Sequence, residues 1–190
     1  MLLNLNIIGI VVHEAGPANI IVEWVKKFKK KVFLINVTGP AKKIFNANKI
    51  NFKLNQSFKT IISRSDFIIS GSSAKSVGDH KIRILAIKHN VKIASLLDHW
   101  ANFKEGFLYR NRMILPDQIW VTDNIAYKMA KKIFKKKKVL IKKNLYEENL
   151  LKKIKISKKT RKRNILYLLE PFKSSTQQKA IKIFFLKINK

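Results

Sequence analysis

The chain has 190 residues, enough for one domain with a substantial core and too few for two of ordinary size. Hydrophobic residues make up 46%, yet no run reaches the ~18 uninterrupted apolar residues of a membrane span, and the absence of cysteine excludes disulfides, thiolate metal sites and a cysteine nucleophile. The 41 Lys and Arg against 11 Asp and Glu leave a formal charge of +30, a field that draws anionic partners at low salt.

Asn4 to Val12 reads as a first strand, ended by the loop His13-Glu14-Ala15-Gly16. Pro17 suits the first turn of a helix, where its missing N–H costs nothing, and Ile20, Ile21, Trp24, Val25 and Phe28 recur at helical spacing. Lys31 to Val37 is a second strand, stopped by Thr38-Gly39-Pro40, with a short helix carrying Ile44 and Phe45. A short strand and then a helix through Phe58, Ile61 and Ile62 are expected within residues 50–63. Asp66 to Gly71 resumes the strand pattern and ends in the small-residue loop from Ser72 to Gly78. A helix from Asp79 to His89 follows, with Asp79 as its N-cap and Ile82, Leu85 and Ala86 inward.

Val91 to Leu97 is the next strand. The stretch Asp98 to Leu115 is a long connection, and loops of that length inside a compact domain are more often functional than accidental. Asp117 to Thr122 is a strand, and Thr122 or Asp123 caps a helix through Ile125, Ala126, Met129, Ala130, Ile133 and Phe134. A last strand at Val139 to Ile141 and a helix from Glu147 to Ile154 complete a unit of residues 1–154. Lys155 to Arg163 is a basic linker, and Asn164 to Leu169 with Thr176 to Ile188 looks like the first strand and helix of a second Rossmann-like domain, 164–190. Strands alternating with helices imply right-handed crossovers and an α/β, Rossmann-like doubly wound parallel sheet. In such sheets ligands lie at the carboxyl ends of the strands, here the polar clusters that end DFIISGSS, VKIASLLDHW and DQIWVTD.

Of the 41 basic residues only Arg64, Arg83, Arg110, Arg112, Arg161 and Arg163 are arginine, whereas phosphate and base readers favour the bidentate guanidinium. Abundant Lys, Asn and Ile suit an AT-rich coding sequence, so a specific nucleic-acid partner is disfavoured. A Lys-rich Rossmann-like protein binding nucleic acid or an anionic surface without catalysis stays as the alternative reading. The opening MLLNLNIIGIVVHEAG lacks a basic leader and a cleavage site, which sets the expectation of a cytoplasmic protein. The runs KKFKKK (Lys26 to Lys31) and KKIFKKKK (Lys131 to Lys138) add peripheral contact with an anionic membrane at its inner face.

The loop after the first strand, DFIISGSSAKSVGD and SLLDHWANFKEGF…LPDQIWVTDNIAYKMAKKIF together resemble the amino-terminal domain of GT-B glycosyltransferases of the polysaccharide-biosynthesis type. The resemblance covers about residues 3 to 155. It implies a glycosyltransferase-like protein of polysaccharide or glycoconjugate synthesis lacking most of its donor domain. No permanently bound cofactor is expected; the partners would be a nucleotide-sugar donor, a sugar or glycolipid acceptor and a separate chain supplying the donor half. In that family the first loop faces the cleft, so His13 or Glu14 could act as general base beside Gly16, whose lack of a side chain lets backbone amides approach a ligand; plain turn chemistry is the other reading. Gly71, Ser72 and Ser73 resemble the family's sugar- or phosphate-contacting turn, with Asp79 as the acid several residues on, or merely a helix cap. Asp98 and His99 could pair as a general-base dyad with Trp100 as a stacking face; alternatively Asp98 caps a turn, His99 bonds to backbone and Trp100 fills the core. Lys104, Arg110 and Arg112 could meet an anionic group, and no metal site is expected from His13, His80, His89 and His99.

Overall fold

The structure, a computed structural model, describes residues 6–50 and 54–153. The expected linker 155–163 and the partial domain 164–190 lie outside the described residues. In chain order the elements are β1 (Ile7–Val12), α1 (Ala15–Lys27), β2 (Val32–Val37), α2 (Gly39–Ala47), α3 (Phe58–Arg64), β3 (Phe67–Ser70), α4 (Val77–Lys88) and β4 (Ile93–Leu96). A 3₁₀ turn at Glu105–Phe107, the two-residue strands β5 (Leu108–Tyr109) and β6 (Arg112–Met113), β7 (Gln118–Val121), α5 (Asn124–Ile133), β8 (Lys138–Ile141) and α6 (Leu145–Lys153) follow.

Six strands form one parallel sheet in the order β2-β1-β3-β4-β7-β8, an α/β, doubly wound Rossmann-like architecture. Both faces are covered, which is why β3, β4 and β7 are buried at every position and read as continuous apolar runs. On one face α1 and α2 pack Ile21, Val25, Ala41 and Phe45 against Ile8, Ile10 and Ile35, and the fully buried Trp120 stacks on Phe67 and meets Trp24 edge-on. On the other, α3 and α4 place Ile61, Ile82 and Ala86 against Val11, Ile68 and Ile93. Farther along that sheet, α5 and the long connection bury Phe103, Phe107, Ala130 and Phe134. Gly9 allows the close approach of α3, since a Cβ there would lie 2.6 Å from Ile61 Cγ2.

Three expectations need correction. No strand occupies residues 54–57, and the rest of the expected one, 51–53, lies outside the described residues. The cap of α4 is Ser76, whose hydroxyl accepts from the Asp79 amide; Asp79 sits in the first turn and is itself buried. The connection 98–115, expected as a long loop, carries the 3₁₀ turn and a hairpin. Arg110 and Asn111 both take positive φ, 49° and 59°, and close a two-residue hairpin between β5 and β6, the primed turn geometry that Asn tolerates.

Candidate functional site

The strand order reverses direction between β1 and β3, and the loops leaving β1, β3 and β4 open there around a cleft of about 340 Å3. Glu14 to Pro17 supply one side from the start of α1. Ser72 to Lys75 supply another, and Asp98, His99, Asn102 and Gly106 close it. Each strand delivers its polar residue where hydrogen-bonding of the ladder stops, so the carboxyl ends of three parallel strands converge on one space.

Glu14 is the N-cap residue of α1 by backbone conformation, yet its side chain does not cap. It reaches across the cleft floor and accepts from the Ser73 hydroxyl at 2.8 Å, while that hydroxyl accepts from the Lys75 amide. Asp98 lies over the first turn of α1, so close to Gly16 that a Cβ there would overlap its Oδ2. Desolvation pushes the Asp98 carboxyl above its ordinary range; the nearby Glu14 charge adds to this, and His99 and Asp98's own amide oppose it. The site thus holds two carboxyl groups in unequal environments, one hydrogen-bonded and one driven toward its protonated form, which is the arrangement acid–base chemistry uses.

The other expected residues divide. His13 turns away from the cleft: its Nδ1 is 2.8 Å from the Thr38 hydroxyl and its ring packs on Gly39, which has a φ of +52°. His99 lines the cleft, but no dyad forms, because its Nδ1 accepts from the Ala101 amide and not from a group that pairs it with Asp98. Trp100 does not fill the core. It is 57% exposed, and its indole N–H donates to Asp123 Oδ2, while Asp123 Oδ1 caps α5 through the Ala126 amide. Ser72 donates to the Leu96 carbonyl and so ties the turn to β4. Arg110 lies over the Tyr109 ring, and Lys104 lines a separate apolar hollow, so neither reaches the cleft. Arg112 belongs to the exposed hairpin strand β6.

Beneath the turn Asp79 lies in a buried polar cluster with His80 and Arg83, neither of which was expected to support the site. Arg83 is wholly buried, donates to the Gly71 and Gly106 carbonyls at 3.0 and 2.9 Å and to His80 Nδ1 at 2.7 Å, and covers the Phe107 ring. Burial lowers its pKa to about 10, against the attraction of Asp79. His80, stacked on Tyr109, is likewise lowered by burial and by the Arg83 charge, and so accepts as a neutral ring. Asp79, 1% exposed, accepts from the Ser73 amide and is raised to about 6 by burial. Gly71 is required beside it, since a Cβ would stand 2.6 Å from Asp79 Oδ2. Gly106 in turn lies directly on the Ser72 carbonyl. An Arg at an inward position between Ile82 and Ala86 was the available sign. Among the described residues no three His, Asp or Glu side chains gather as a metal site.

A solved structure described as a UDP-N-acetylglucosamine 2-epimerase from Listeria monocytogenes has a similar fold, with a TM-score of 0.51 at 9% identity. The likeness is one of fold, the α/β, Rossmann-like parallel sheet. The likeness covers 82% of this chain and 50% of that one, so this chain spans about half the length of that protein. No family model matches the sequence, and no curated protein does. The Glu14–Asp98 cleft lies at the switch point of this sheet.

Proposed function

We propose that residues 6–153 are the sugar-binding half of a GT-B-like enzyme that transfers a glycosyl group from a nucleotide-linked donor to an acceptor hydroxyl in glycoconjugate or polysaccharide synthesis. One observation carries the reading: Glu14 and Asp98, in unequal environments, face the same cleft at the switch point of the sheet. Two carboxyl groups with Ser73 and Asn102 beside them recognise hydroxyls better than phosphates, which fits the acceptor side of such an enzyme. Glu14, oriented by Ser73, would take the acceptor proton as its oxygen forms the new glycosidic bond and the bond to the nucleoside diphosphate breaks. Asp98 would hold a neighbouring hydroxyl, and Lys75 at the rim would face the departing anion. The donor-binding surface would come from a second domain or a separate chain.

Saturation-transfer NMR on the full chain with a panel of free sugars and nucleotide sugars tests the reading. Sugar-ring protons should receive saturation, and Glu14→Gln and Asp98→Asn should each weaken the contact about tenfold. Silence across the panel, or signals indifferent to both substitutions, would sink it. The same unequal carboxyl pair also suits removal and return of a proton at a sugar carbon, as an epimerisation needs. Deuterium uptake into a sugar nucleotide in heavy water without any acceptor would favour that second reading.

A further inference from the structure

In a parallel sheet every helix-to-strand turn lies at the amino ends of the strands, on the side opposite the cleft. The lysine runs fall there. Lys26 to Lys31 join α1 to β2, Arg64 ends α3, Lys88 and Lys92 bracket the turn into β4, and Lys135 to Lys138 join α5 to β8. The acids on this side are already engaged: Asp66 accepts from the Asn6 and Ile7 amides, Asp117 from the Ile93 amide, and Glu23 pairs with Lys26. Glu14, Asp98 and Asp123 stand at the other end of the sheet. Exposed lysines also occur on the helices and at Lys75 beside the cleft, but the consecutive runs Lys29 to Lys31 and Lys135 to Lys138 both fall on this side.

Apolar surface is set into the same side. Phe28 lines an open hollow of about 430 Å3 with Lys27 and Lys29 to Lys31, and Val32 next to it is 50% exposed. A second hollow of about 480 Å3 is lined by Met113, Leu115, Ile133 and Phe134 and rimmed by Lys135 to Lys137.

We infer that this face docks the protein on an anionic phospholipid surface, with the cleft at the far end of the sheet. Lysine, a point charge on a long apolar stem, suits many loosely placed headgroup phosphates, and shallow apolar hollows beside it suit the interfacial region just below them. A nucleic-acid backbone would use the charge but not the hollows. The inference stands apart from the sugar reading, because the residues that carry it do not line the cleft.

Co-sedimentation of the full chain with phosphatidylcholine vesicles, with and without about 30% phosphatidylglycerol, tests it at about 150 mM salt. Binding should require the anionic lipid. Lys135→Glu, Lys136→Glu and Lys137→Glu combined should weaken it at least about tenfold. The same charge change at Lys42, Lys43 and Lys59, which are exposed on helices, should cost less than about threefold. Met113→Ser should lower the binding that survives at about 500 mM salt. Equal losses from the two triple variants, no binding to the anionic vesicles, or tighter binding to a polynucleotide than to vesicles at matched salt would each overturn the inference. Sugar contact in the cleft should be unchanged in both triple variants, so failure here leaves the sugar reading standing.

Discussion

Gly16 and Asp98 share one small volume at the start of α1, and that makes glycine the only residue the site tolerates there. In Gly16→Ala the new methyl would displace the Asp98 carboxylate, which should cost about 1–3 kcal/mol in stability. It should also remove sugar contact as fully as Asp98→Asn; denaturant unfolding and saturation transfer read the two effects, and an alanine variant that binds normally would show that Asp98 does not act from this position. Asp79 makes a different prediction. Its carboxyl, raised from 3.8 to about 6, binds a proton more tightly in the folded than in the unfolded chain. Its contribution to stability is therefore fully present below about pH 4 and is lost as pH rises to about 6, a difference on the order of 3 kcal/mol. Asp79→Asn keeps an oxygen for the Ser73 amide and should remove that slope. The difference between wild-type and variant unfolding free energies, followed from pH 4 to 7, should change in this window and be flat above it. Ser73 and Asp98 were legible because polar clusters that end apolar strands mark the ligand side of a parallel sheet, and Gly16 through the family resemblance. Sequence could not tell His13 from Glu14, since adjacent loop residues point in opposite directions and only the fold sets which one meets Thr38.

At the scale of elements, the strands and most helices were legible because buried parallel strands are apolar at every position and the helices bury one stripe. The cap of α4 was misplaced by three residues: Ser76 and Asp79 are both good cap residues, and only burial shows that Asp79 is committed inside. The long connection was legible as an insertion but not as an ordered one, because what orders it is distant in sequence. Arg83 on α4 donates to both the Gly106 and the Gly71 carbonyls and so ties helix, turn and connection to one another. Arg83→Met should leave both carbonyls and His80 without their donor and destabilise the chain by about 3 kcal/mol. The loss should be local first. The Phe107 and Ile114 amides, which bond within the connection, should exchange with solvent at least about tenfold faster while β1 amides exchange as before. Unchanged protection at Phe107 and Ile114 would mean that the aromatic packing on Phe134, rather than Arg83, orders the connection.

Across the whole molecule the sheet has two unlike ends, a carboxylate-lined cleft and a lysine-rich base, and the base bears on stability as well as on partners. Among the described residues three ion pairs occur, Lys26–Glu23, Lys92–Asp117 and Lys143–Glu148, none with both partners buried. Such pairs contribute about 0–1 kcal/mol each, whereas a formal charge of +30 repels itself over the whole surface. Screening should therefore remove more repulsion than attraction. Raising potassium chloride from about 10 mM to about 300 mM shortens the screening length from roughly 30 Å to below 10 Å, which weakens long-range repulsion more than the contact between paired atoms. The thermal midpoint should rise with salt, and the rise should shrink in the Lys135, Lys136 and Lys137→Glu triple variant. A midpoint that fell with salt would mean that attraction, not repulsion, dominates the surface, and that the lysines are neutralised by partners within the chain itself.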